Sequence, residues 1–294
     1  MFAEKIAGII LSKKQYKIIK NKYRRLLYFI HPKLSESEFR QILTNNLGIG
    51  KGSVVFIHSS IDKLFINFNP EKVLDILIEI VGSEGTILLP CTQLQERADV
   101  YLQRGEIFNV KKTLPKMGLL PGLAMFHKNS VRSLHPTNSV VAIGKLANEL
   151  TKEHPDSIYP CGDKSPYYKI IAYNGIIIGL GVTIETLTFV HTIEDVMKDK
   201  FPVQTRRKEI FYAKVLDWKG DERVIPTLVQ HPNTGYRQIT QYMKKHIPQN
   251  IYFDFKFKNV KFFKADAKLL FEKMTDLASK NITIYSKIVN ITKD

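Results

Sequence analysis

The 294-residue chain contains only two cysteines, Cys91 and Cys161, and a single tryptophan. So few thiols exclude a disulfide framework and a cysteine-rich zinc site, and they fit a reducing, cytoplasmic setting. No uncharged apolar run approaches the ~18 residues of a membrane-spanning helix. The apolar patch at residues 6–11 is short and lacks a small-residue cleavage site, so no signal peptide is expected. Internal repeats and low-complexity linkers are absent, which leaves no sharp domain boundary. Metal-ligand spacings are missing too: His191 and Glu194 stand three apart outside any HExxH pattern, so no metal is expected. Acidic residues are scarce, with 28 Asp and Glu against 44 Lys and Arg, for a net charge of +16. That balance repels polycationic partners at long range and favours nucleic acid, a membrane surface or phosphorylated ligands.

What is present is enough apolar residue (44%) to bury a sizeable core. Half of the net charge falls in residues 1–33, where nine lysines and arginines face one glutamate. Ile6, Ile10, Tyr16, Ile19, Tyr23, Leu27 and Ile30 recur there at spacings that predict one face of a basic helix. That face packs on the domain or on a second subunit, or it holds the chain to an anionic membrane at the inner face. The expected organisation is a basic helical extension over 1–33 and one domain over 34–294. Within that domain a parallel α/β part extends to about 200 and an antiparallel and helical part follows.

The fold class expected is α/β, with a central mixed and largely parallel sheet flanked by helices, and antiparallel strands in the C-terminal portion. Ser35 and Glu38 form a capping box ahead of a short helix. Residues 54–57 and 86–89 are apolar strands separated by an amphipathic helix over 70–81, which predicts a right-handed parallel crossover. Both strands end in polar chemistry, His58-Ser59-Ser60 and Pro90-Cys91-Thr92-Gln93, where open α/β sheets place ligands. Residues 99–116 read as a polar surface loop and 118–126 as a helix. A strand signal lies within 170–180, a hairpin over 210–229, aromatic strands over 251–263 and a last helix over 265–279. The Phe and Lys alternation of 251–263 fits one buried and one wet face, with single-stranded nucleic acid as the other reading. Cys91 has no neighbouring base and reads as a small buried hydrophobe.

Two stretches concentrate reactive side chains. VRSLHPTNSVVAIG, residues 131–144, sets Arg132, Ser133, His135, Thr137 and Ser139 close together, a mix suited to phosphates and carbonyls or to a polar turn before a strand. TIETLTFVHTIED, residues 183–195, puts His191 and Glu194 on one face of a helix over 187–197, where the carboxylate orients the ring as a general base for an amine. The stretch QHPNTGY, residues 230–236, supplies acceptor contacts or is a plain turn.

Taken in order, VFIHSS, VGSEGTILLP, GLLPGLAMF, VRSLHPTNSVVAIG, GDKSP and GVTIETLTFVHTIED resemble the antibiotic N-acetyltransferase family, typified by aminoglycoside 3-N-acetyltransferases. The resemblance covers roughly residues 38–280. It implies acyl-coenzyme A-dependent transfer to a sugar amine in a ternary complex, without metal or covalent enzyme intermediate. It makes His191 and Glu194 catalytic, with His58, Ser59, Ser60, Arg132, Ser133, His135, Thr137 and Ser139 around acyl-CoA and Thr92, Gln93 and Thr188 toward the acceptor. The PCTQ strand end departs from the family pattern and puts the acceptor contacts in doubt. Because the chain is basic, the acceptor expected is a dTDP- or UDP-linked amino sugar for surface polysaccharide, including lipopolysaccharide, with an aminoglycoside as the alternative. A non-enzymatic nucleic-acid or membrane-surface protein is the second alternative, nucleic acid being disfavoured for the enzyme, and a homo-oligomer is left open.

Overall fold

The computed structural model describes residues 30–285, with Ile19 and Lys22 ahead of them. The basic-helix reading of the N-terminal segment therefore lies outside the described residues. His31 stacks on Phe65 at 4.3 Å between ring centroids. The capping box is present: Ser35 accepts from the Glu38 amide at 3.2 Å, and Glu38 accepts from the Ser35 amide at 2.9 Å. It opens helix α1 (Glu36–Gln41), which widens into a π-type turn over Ile42–Asn46 and buries Ile42 and Leu43.

Seven strands form the main sheet: β4 (Ser130–Arg132), β5 (Val140–Gly144), β2 (Thr86–Pro90), β1 (Val54–Ser59), β6 (Ile176–Leu180), β10 (Val260–Asp266) and β9 (Tyr252–Phe257), in that spatial order. Parallel pairing is confined to β2–β1–β6; every flanking strand is antiparallel. The parallel centre follows from the helical crossover α2 (Lys72–Val81), while β4–β5 and β9–β10 are hairpins, which can only add antiparallel. The C-terminal hairpin completes the same sheet, so the two parts expected from the sequence interleave.

Both faces of the sheet are covered. Val55, Ile57, Ile87, Leu89 and Ile178 pack under α1, α2 and helix Leu119–Phe126. Val54, Phe56, Leu88, Ile177 and Phe263 pack under helices Val190–Met197, Ile239–His246 and Ala267–Ser279. Strand alternation sends successive side chains to opposite layers, and burial on both faces explains the near-continuous apolar runs. Phe262 and Phe263 are spent in these cores, which leaves the β10 aromatic rings unavailable for stacking on bases. At Gly179 the neighbouring strand demands glycine, since a Cβ would sit 2.1 Å from the Phe263 ring.

A second sheet orders β3 (Phe108–Asn109), β7 (Arg206–Leu216) and β8 (Glu222–Gln230). Pro226 is tolerated because β8 is an edge strand. β3 overturns the expected surface loop over 99–116. Its backbone pairs with β7, Phe108 facing Val215, and Asp99, Tyr101, Phe108 and Val110 are buried. The pairing partner lies more than a hundred residues away, so local polarity gave no sign of it. The strand in 170–180 begins only at Ile176; Ile170–Tyr173 is a helical turn, closed by Asn174 in the left-handed region at φ 49°.

Candidate active site

The helix Val190–Met197 follows the end of β6 at the heart of the sheet. Val190 and Ile193 anchor it in the core, which fixes the adjoining, also buried, face carrying His191 and Glu194. Nδ1 of His191 lies 2.9 Å from Oε2 of Glu194. The Tyr285 hydroxyl donates to the other carboxylate oxygen at 2.7 Å. Burial raises the Glu194 pKa, but the His191 ring, Arg206 and the Tyr285 hydroxyl outweigh it and hold the carboxyl below its ordinary range. Asp195 takes no part in this pair. It forms a two-pronged buried ion pair with Arg206, at 2.6 and 2.7 Å, and accepts from the Cys161 amide at 2.7 Å.

On its outer side, Nε2 of His191 accepts from Nη1 of Arg237 at 2.5 Å, with the Gln230 amide nitrogen 3.2 Å away. A guanidinium has donors only, so Nε2 carries no proton and the ring hydrogen sits on Nδ1, directed at Glu194. The tautomer is thus set by its neighbours. His191, 8% exposed, closes one side of a cavity of about 370 Å³. Thr188, Arg237 and Glu185 share that lining. Glu194 also backs a second cavity of about 460 Å³, lined by Lys198, Arg206, Arg207 and Lys208 among others.

The 131–144 stretch is turned inward. Arg132 is 1% exposed and spends its guanidinium on the protein itself. Nη1 donates to the Thr113 carbonyl at 2.6 Å, Nε to Ser139 Oγ at 3.1 Å, and Nη2 to the Cys91 carbonyl, while the group lies 4.7 Å above the Phe108 ring. The arrangement presents no charge to a phosphate: a fork whose donors end on carbonyls and a serine hydroxyl holds the end of β2, β4 and the 110–113 loop together. Ser139 Oγ donates to the Cys91 carbonyl at 2.7 Å. Ser133 Oγ accepts from the Val140 amide at 2.9 Å and contacts His154 Nδ1 at 2.8 Å. His135 is fully buried, stacked on His154 at 4.5 Å, and its Nδ1 accepts from the Asn138 amide at 3.1 Å. Thr137 is buried and bonds Asn138 Oδ1 at 2.9 Å. Thr92 and Gln93 donate to the Thr137 and Pro136 carbonyls at 2.7 and 2.6 Å, stitching the strand end to this loop.

His58 is likewise interior, between Phe56 and Phe263, and burial lowers its pKa to about 4. Of the residues expected around acyl-CoA, Ser59 and Ser60 keep a half-exposed position at the β1 terminus. Their neighbour Gly118 opens helix Leu119–Phe126, with its Cβ direction 3.9 Å from the Ser59 carbonyl. Burial raises the Cys91 thiol pKa to about 11, which suits the small-hydrophobe reading. The sequence reading missed Arg237 and Tyr285 altogether, whereas Gln230 lay in the stretch proposed for acceptor contacts. Tyr285 carried no motif signal, standing 91 residues from the glutamate it serves.

Residues 56–278 match the family described as aminoglycoside 3-N-acetyltransferase. Aminoglycoside N(3)-acetyltransferase IX of Micromonospora chalcea is 28% identical over 173 residues, covering 53% of this chain and 61% of that protein. The chain thus spans less than two thirds of that relative's length. Among solved structures, aminoglycoside acetyltransferase AAC(3)-Xa superposes with a TM-score of 0.74 at 19% identity, over 90% of this chain and 99% of the other. AAC-IIIb, solved as a binary complex with CoASH, gives 0.71 at 17%, over 86% and 98%. At such identities the likeness is one of fold.

Proposed function

The chain belongs to the aminoglycoside 3-N-acetyltransferase family, and on that premise we propose that it transfers an acyl group from acyl-coenzyme A, acetyl-CoA first, to the amino group of a sugar. The observation that carries this reading is the His191–Glu194 pair at 2.9 Å, whose histidine lines a cavity. Bound acetyl-CoA supplies a thioester, at which the carbon–nitrogen bond forms as the carbon–sulfur bond breaks. Nε2 of His191 takes the proton that the nitrogen loses. Glu194 keeps Nδ1 as the donor and offsets the positive charge the ring then acquires; Tyr285 fixes Glu194 in turn. Ser59 and Ser60 are the hydroxyls of the expected donor side that retain access. The inward turn of Arg132, His135 and Ser139 argues that they shape the site rather than touch coenzyme A.

Aminoglycosides come first among acceptors, because the relatives are named for them. A second reading, a nucleotide-linked amino sugar, is favoured by the cations beside the dyad: Arg237 on one side, and Lys198, Arg207 and Lys208 on the other. Release of coenzyme A is the test, measured with aminoglycosides and with dTDP- and UDP-linked amino sugars. Turnover with neither class, under saturating acetyl-CoA, would refute N-acyl transfer to sugars.

A further inference from the structure

We infer that Arg237 selects the acceptor: it masks the His191 lone pair until a phosphoryl group on the acceptor draws it away. The inference rests on the reading of His191 as the base and on the second acceptor reading, a phosphorylated amino sugar; for an aminoglycoside Arg237 is an obstacle. Nη1 of Arg237 lies 2.5 Å from Nε2, and this nitrogen is the one that must receive the amine proton. A base whose lone pair already accepts a hydrogen bond is not free to take a proton. Arg237 therefore has to leave before the acceptor nitrogen can approach.

Two consequences follow from placing a permanent cation there. An incoming ammonium meets like charge at the spot it must occupy. A phosphoryl oxygen meets a planar fork that binds it through two parallel hydrogen bonds, a geometry a neutral ring nitrogen cannot match. Among the described residues the recorded partner of the guanidinium is that ring, not a carboxylate, so little holds it against a phosphate. Among the described residues the one acid sharing the cavity lining, Glu185, is exposed and engaged with the Thr240 amide at 2.9 Å. Arg237 sits on the connection between the Pro232–Gly235 turn and helix Ile239–His246, half-exposed, where a swing of the side chain needs no repacking of the core.

The experiment uses the full chain with 15N-labelled histidine, following His191 by NMR while UDP, inorganic pyrophosphate or coenzyme A is added. UDP and pyrophosphate are expected to shift the His191 Nε2 signal in the unaltered protein and to leave it unmoved in Arg237→Gln. Steady-state rates then compare UDP-linked amino sugars, glucosamine 1-phosphate and an aminoglycoside. Arg237→Gln should raise KM for the phosphorylated acceptors by about tenfold or more, the loss of one charge-assisted contact, while lowering KM for the aminoglycoside. Arg237→Lys, which keeps the charge without the fork, should fall between the two. Glucosamine 1-phosphate separates a need for phosphate alone from a need for the nucleotide. The inference is overturned if UDP shifts His191 equally in both proteins. It is also overturned if coenzyme A alone produces the shift, or if Arg237→Gln depresses both acceptor classes alike. Should the unaltered protein acetylate no amine at all, the proposed function fails, and the UDP titration still judges Arg237.

Discussion

Replacing Arg132 with methionine separates a structural arginine from a phosphate-binding one. Methionine fills the volume of the side-chain stem but donates nothing. Its cost follows from the acceptors left behind. The Cys91 carbonyl keeps the Ser139 hydroxyl at 2.7 Å, and the Val110 carbonyl loses only a long contact of 3.4 Å. The Thr113 carbonyl loses its 2.6 Å partner, and Ser139 Oγ loses a donor at 3.1 Å. Two charge-assisted bonds, one short and one long, with partial rehydration near Thr113, amount to about 2–4 kcal/mol. Urea denaturation should therefore show a midpoint lowered by about 1–2 M at an unchanged slope, taking a typical slope of about 2 kcal/mol per molar. Arg132→Lys cannot fork and should fall part of the way. Acetyl-CoA affinity, measured by calorimetry on the folded protein, should stay within about twofold, since no phosphate reaches a side chain that is 1% exposed. An unchanged midpoint with acetyl-CoA binding abolished would refute this account and restore the phosphate role.

His191→Ala should lower kcat by about 10²–10⁴, and a loss under about tenfold would show that solvent removes the proton. Tyr285→Phe removes the 2.7 Å bond to Glu194, one of the interactions that hold the carboxyl pKa down, so that pKa should rise. Because the fold depresses that pKa, the ionised form is lost as pH falls, so the acid limb of the kcat profile should move to higher pH; an unmoved limb would exclude the role given to Tyr285. His58 and His154 are fully buried with pKa values lowered by burial to about 4, and burial also holds His135 well below the ordinary histidine value. As pH drops below 6.5 the unfolded chain takes up protons that these rings refuse, so stability is full above 6.5 and declines until the folded rings titrate near 4. The loss should reach at most about 3 kcal/mol per ring, seen as a falling denaturation midpoint between pH 7 and 4.5, and a flat profile would contradict the burial. Ser35→Ala should cost about 1 kcal/mol through the lost cap, checked by the same titration.

Much of the layered fold was legible because its signals are local. The capping box at Ser35 and Glu38, the apolar runs ending at His58 and Pro90, and the helix carrying His191 three residues before Glu194 all follow from short-range pattern. The strand at Phe108 was not legible, since its partner Val215 comes from a distant part of the chain. The 131–144 stretch misled for a related reason. Arginine, histidine and serine side by side look alike whether they face a ligand or the protein's own carbonyls, and only the path of the surrounding backbone distinguishes the two.

By itself the sequence determined which residues could form strands and helices, and that a histidine and a glutamate share one helical face, because periodicity and i,i+3 spacing are properties of the local chain. Tertiary structure alone decided what those residues do. It set the tautomer of His191 by bringing Arg237 to one nitrogen and Glu194 to the other, and it spent Arg132 on carbonyls from Cys91 and Thr113. A side chain's role depends on which donors and acceptors surround it, and packing assembles those from segments that no local pattern connects.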